Sequence, residues 1–117
     1  MWPSAGVQVH VALGATDMRK SQDALAALVA GRFGLDPLGG GLFVFANRRR
    51  TMVKILYWDR TGYCVWQKRL ERQHFFWPPG EAGAVRGLDW RELTWLLEGL
   101  DPRTVRGHEK LRYTTTL

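Results

Sequence analysis

Apolar and polar positions first alternate with a period of two. Val7, Val9 and Val11 are separated by Gln8 and His10, which predicts a strand over Val7–Leu13 with one buried face. The spacing then changes. Leu25, Leu28 and Val29, with Ala24 and Ala27 beside them, recur at the helical interval, and Thr16 and Asp17 stand ahead of them with side chains able to accept from free amides. A helix is therefore predicted from Met18 to Arg32. Pro37 and the run Gly39-Gly40-Gly41 break both regular structures and predict a loop. Four apolar runs follow, Leu42–Ala46, Met52–Trp58, Tyr63–Leu70 and His74–Trp77, the first three separated by the turn segments Asn47–Arg50 and Asp59–Gly62. Connections this short predict an antiparallel meander. In Leu42–Ala46 both alternate sets are apolar, as expected of a central strand covered on each face, with some of that cover open to a partner.

Pro78-Pro79-Gly80 stops the sheet and opens a loop to Gly87. Asp89 and Glu92 then have the spacing of a capping box, Leu88 and Leu93 that of a hydrophobic staple. Leu93, Leu96 and Leu97 form a stripe that ends at Gly99, so a second helix is predicted there. Beyond Leu100 no period is visible, and residues 101–117 are expected to form a basic, flexible tail. These elements predict a single α+β domain over residues 1–100: a mostly antiparallel β-sheet of about five strands with a central meander, packed with two helices. A length of 117 residues suits one core and not two.

Charge then singles out one stretch. Residues 47–72 hold Arg48, Arg49, Arg50, Lys54, Arg60, Lys68, Arg69 and Arg72 against Asp59 and Glu71, while acidic and basic groups cancel on either side. The whole formal excess of +6 sits in the meander. Arg48, Arg49 and Arg50 cluster at a hairpin tip, where planar guanidinium forks can reach phosphates; a solvated tip is the plainer reading. Lys54, Lys68 and Arg69 lie within strands beside Tyr57, Trp58 and Trp66, so a base-stacking sheet face is conceivable, although most of these aromatics are expected in the core.

Other chemistry finds little support. His10, His74 and His108 lack metal-ligand spacing, and Asp17, Asp23, Asp36, Asp59 and Glu71 fit caps, turns and ion pairs. The glycine run lacks the Lys-Ser/Thr ending of a phosphate loop. No catalytic residue, metal site or cofactor is expected. The lone Cys64 fits a buried thiol in a reducing compartment. No run approaches the roughly 18 apolar residues of a membrane span, and the N-terminus lacks a signal-peptide pattern. A cytoplasmic protein without membrane attachment is expected.

Several blocks together carry a resemblance: Asp17-Met18-Arg19-Lys20, Leu42-Phe43-Val44-Phe45 with Arg48-Arg49, Lys54 with Trp58-Asp59 and Gly62, Lys68-Arg69-Leu70-Glu71, Trp77-Pro78, and Leu96-Leu97-Glu98-Gly99. In this order, over residues 7 to 100, the chain resembles the small accessory protein, of TnpB or second-reading-frame type, of the insertion sequence 66 family. Ser21-Gln22 depart from the Gly and apolar residue usual in that family. The resemblance implies a bacterial mobile element and a role in DNA transposition and recombination, beside a separate transposase that carries the catalytic residues. It adds Arg19 and Lys20 to the basic positions above as members of the family motif. Two functions are then open: a non-catalytic factor that binds DNA through the basic meander, at transposon ends or in a transposase–DNA complex, or an adaptor that docks on the transposase or on a second copy without useful affinity for free DNA.

Overall fold

The computed structural model describes residues 6–100, so the tail expected over 101–117 lies outside the described residues. Its elements are β1 (Val9–Ala12), α1 (Gln22–Gly31), β2 (Leu42–Ala46), β3 (Met52–Asp59), β4 (Gly62–Arg69), β5 (Val85–Leu88) and α2 (Trp90–Glu98). The five strands form one sheet in the order β4-β3-β2-β1-β5. All neighbours are antiparallel except β1 and β2, which run parallel and are joined through α1. The α+β fold expected from the residue pattern is the one observed.

The alternation of side chains across the strands gives the sheet two apolar faces. On one, Val9, Val11, Leu42, Val44, Val53 and Ile55 meet Leu93, Leu96 and Leu97 of α2, and Phe75 closes the layer. On the other, Phe43, Phe45 and Leu56 meet Leu25, Ala26 and Val29 of α1. β2 is buried along its whole length because helices cover both its faces, so its doubly apolar sequence is accounted for within the chain. Phe75 is only 1% exposed, and its truncation to Ala is expected to cost about 3–5 kcal/mol.

Boundaries differ where local signals misled. α1 starts at Gln22 and not at Met18, because Ser21 is the N-cap: its side chain accepts from the Ala24 amide. The departure at Ser21 thus supplies a cap. Asp17 instead accepts from the Arg19 amide, holding a turn before the helix. The fourth apolar run, His74–Trp77, is loop. The fifth strand is Val85–Leu88, where a loop was expected; it forms because β1 offers it an antiparallel edge, with Val9 opposite Leu88 and Ala12 opposite Val85. α2 follows its sequence closely, with a reciprocal Asp89–Glu92 capping box and Gly99 in the left-handed conformation at its end.

Candidate nucleic-acid interface

Strand directions bring three connections to one end of the sheet. β1, β2 and β4 finish there and β3 and β5 begin there, so the loop 13–21, the turn 47–51 and the loop 70–84 are neighbours. Backbone hydrogen bonds lock them together. The Thr16 amide donates to the Ala46 carbonyl at 2.8 Å, the Leu70 amide to Thr51 at 2.9 Å, and the Phe75 amide to Arg50 at 2.7 Å. Gly14 lies so close to loop 70–84 that a Cβ there would run into the Ala82 backbone.

Arg19, Lys20, Arg48, Arg49, Arg50, Arg69 and Arg72 all lie at this end, although they come from three separate parts of the chain. Their side chains are not equivalent. Arg48 and Arg49 sit at the exposed tip of the turn, which Asn47 organises: its Oδ1 accepts from the Thr51 and Met52 amides at 2.9 and 3.2 Å, and its Nδ2 donates to Thr51 Oγ1 at 3.0 Å. Lys20, Arg69 and Arg72 are likewise exposed. Arg19 is exposed too, but its guanidinium forks onto Asp17, with Nη2 2.8 Å from Oδ2 and Nε 3.0 Å from Oδ1. The Arg19 side-chain hydrogen bonds hold the Asp17 carboxyl well below the usual carboxylate range, so much of the Arg19 charge is already balanced.

Arg50, Lys54 and Lys68 turn their cations inward. Arg50 Nη2 donates to the Leu13 carbonyl at 2.9 Å and its guanidinium lies 5.3 Å above the Trp77 ring, whose Nε1 donates to the Ala12 carbonyl at 2.9 Å. Burial pushes the Arg50 guanidinium below its ordinary pKa, and its Nη1 is buried without a hydrogen-bond partner. Lys54, on the α1 face, donates to the Met18 carbonyl at 2.6 Å and so pins the loop that leads into α1. Lys68, on the α2 face, donates to the Leu97 carbonyl at 2.7 Å. It supplies from β4 the cation that the last turn of α2 lacks. These three residues tie loops and a helix end to the sheet, and Lys54 and Lys68 stand apart from the exposed cluster.

Residue patterns did not point to Arg32, which lies against Gly83 and helps to line a shallow cavity of about 140 Å³ with Gly14, Thr16, Asp17, Lys20 and Gly83. Charge did not mark it either, because acidic and basic groups cancel over residues 1–46. The aromatics beside the strand-borne cations, Tyr57, Trp58 and Trp66, mostly expected in the core, are half-buried on β3 and β4, with Trp58 packed edge-on against Tyr63 at 5.0 Å. Among the described residues no helix is long and apolar enough to cross a membrane.

A family model described as IS66 Orf2 like protein matches residues 7–107, nearly the whole chain. The chain belongs to the IS66 Orf2-like family. Two proteins of Sinorhizobium fredii (strain NBRC 101917 / NGR234) are similar to this member. Protein y4hO is 41% identical over 104 residues, covering 88% of this chain and 90% of y4hO. Protein y4jC is 35% identical over 99 residues, covering 85% of this chain and 84% of y4jC. No solved structure matches this IS66 Orf2-like chain. Family membership ties the protein to the transposition machinery of an insertion sequence, in an accessory role; the family is not a known catalytic one.

Proposed function

We propose that the protein is a non-catalytic accessory factor of transposition that binds DNA through the basic end of its sheet, at transposon ends or in a transposase–DNA complex. One observation carries this reading: Lys20, Arg48, Arg49, Arg69 and Arg72 are drawn from three distant segments and exposed at one end of the sheet, where backbone hydrogen bonds link the three connections. Long cations on a fixed frame suit a regularly spaced row of phosphates. Arg19 adds little to the positive field there, since Asp17 balances it, while Arg50 adds its charge from within, with Nη2 donating to the Leu13 carbonyl. Lys54 and Lys68 act through the scaffold.

The test is a titration of labelled duplex DNA with wild type and an Arg48→Ala/Arg49→Ala variant at low salt. The variant is expected to bind about tenfold more weakly. Equal binding by the two proteins, or none by wild type, would sink the reading.

A second reading is favoured by β4. This eight-residue strand ends the sheet, no described strand pairs with its outer edge, and Tyr63, Val65 and Trp66 on it are half-exposed. Such an edge can accept a further strand from the transposase or from a second copy. On this reading the protein is an adaptor, and a complex with the transposase survives nuclease digestion. Loss of the complex when DNA is removed would count against it.

A further inference from the structure

Loop 70–84 carries a pair of aromatic rings that lie outside both core clusters. Past Arg69 the chain runs beside turn 47–51, where the Phe75 amide donates to the Arg50 carbonyl. From there the residues divide by side. Phe75 is buried against the α2 layer, and Trp77 turns inward, its indole donating to Ala12 and its face under the Arg50 guanidinium. His74 is exposed and Phe76 half-buried, and their rings lie 5.3 Å apart at 51°. The His74 ring is oriented by its own backbone, with Nδ1 3.1 Å from the Phe75 carbonyl. A carbonyl oxygen only accepts, so Nδ1 carries the proton in this contact. Phe75 and Trp77 anchor the segment, and the rings of Phe76, between them, and His74, before them, share this end of the sheet with Arg72, Arg48 and Arg49.

We propose that His74 and Phe76 form a stacking platform for one unpaired nucleobase, with Arg48, Arg49 and Arg72 holding the phosphates on either side of it. The proposal rests on the DNA-binding reading and adds a substrate class to it. Bases paired in a duplex are held in the stack, so the platform can serve only an unpaired base, single-stranded or extruded. Aromatic stacking tolerates any base, because every base has a π-face, whereas the arginines respond to phosphate alone. The protein should therefore recognise a DNA end or junction by its unpaired nucleotide and not by its sequence. An acidic peptide meeting the same arginines would have no requirement for the ring faces.

Fluorescence anisotropy on a blunt duplex and on the same duplex with a single-stranded overhang tests this, using wild type, Arg48→Ala/Arg49→Ala, and His74→Ala/Phe76→Leu. The leucine keeps the apolar volume of Phe76 while removing its ring face, and an unchanged melting temperature confirms that the fold is retained. Wild type is expected to prefer the overhang. His74→Ala/Phe76→Leu should lose about tenfold in affinity for the overhang, with less than about a twofold change on blunt duplex and an unaltered salt dependence. His74→Phe/Phe76→Tyr, which keeps both rings, should retain the preference. Equal affinity of wild type for the two DNAs overturns the platform, as does an equal loss on both or no loss on either. In those cases a weakened, less salt-sensitive Arg48→Ala/Arg49→Ala variant leaves the DNA-binding reading standing. Absence of wild-type binding to either DNA overturns both.

Discussion

The two hairpin turns of the meander are close in composition and opposite in consequence. Each places an arginine in the left-handed backbone region, Arg50 at φ 60° in the turn after β2 and Arg60 at φ 49° in the turn after β3. Arg60 remains in solvent, its side chain 92% exposed and 3.9 Å from the Asp59 carboxylate. An ion pair of that kind contributes little. Arg50 is drawn in by the Leu13 carbonyl and the Trp77 ring, and its own carbonyl receives the Phe75 amide. The same residue type in the same backbone conformation is decoration at one end of the sheet and a tie between three segments at the other. What separates them is the neighbouring chain: loops 13–21 and 70–84 pass the first turn, while the second faces the end where Asp59 and Thr61 stay exposed.

Substitutions at the two turns sharpen that contrast. Arg50→Ala should destabilise the protein by about 2–3 kcal/mol, because it leaves the Leu13 carbonyl without its charged donor and removes the cation from the Trp77 face. Arg50→Lys should recover only part of this, since an ammonium cannot both lie flat on the indole and donate to Leu13. Denaturant melts measure both, and a wild-type midpoint for Arg50→Ala would show that the turn is no tie. Lys68→Met comes next, at about 1–2 kcal/mol, through loss of the charged hydrogen bond to the end of α2. Hydrogen exchange should show the last turn of α2 opening more readily in that variant; unchanged protection there would contradict the assignment.

At the other turn the sign reverses. Arg60→Gly should raise stability by about 0.5–1 kcal/mol, because glycine adopts a positive φ without the steric cost and the lost ion pair is exposed. A drop in the denaturation midpoint would mean that Arg60 makes a stabilising contact after all. A smaller effect concerns His10, stacked on Phe43 at 5.3 Å, whose pKa burial lowers from 6.5. A base with a depressed folded pKa is protonated more readily when unfolded. Its contribution is therefore present above about 6.5 and is lost as pH falls from there through the folded value. His10→Gln should flatten that part of the stability–pH curve, and an identical curve would exclude His10 as its source.

Elements whose signals are local were legible in the residues. β1 follows from alternation, the meander strands from apolar runs between short turn segments, and α2 from Asp89, Glu92 and Gly99, each within a few residues of what it caps. β5 was hidden because Arg86 and Gly87 are poor strand formers on their own, and only the edge of β1 makes them one. His74–Trp77 has the composition of a strand, yet Phe75 and Trp77 serve the α2 layer and a backbone bond from Phe75 to Arg50 replaces a ladder. The same distinction applies to the site. Charge alone singled out Arg48, Arg49, Arg69 and Arg72 as candidates, and these four are exposed. The inward turn of Arg50, Lys54 and Lys68 depends on carbonyls 37, 36 and 29 residues away in sequence, which no local pattern reports.

The most direct measurement of the account is the salt dependence of duplex DNA binding by wild type and the Arg48→Ala/Arg49→Ala variant. If these exposed arginines meet phosphates, the log–log slope of affinity against salt should fall in magnitude by about 1.8 in the variant, at roughly 0.9 per contact. Parallel slopes, with the variant as salt-sensitive as wild type, would contradict the claim that the basic end of the sheet is a DNA surface.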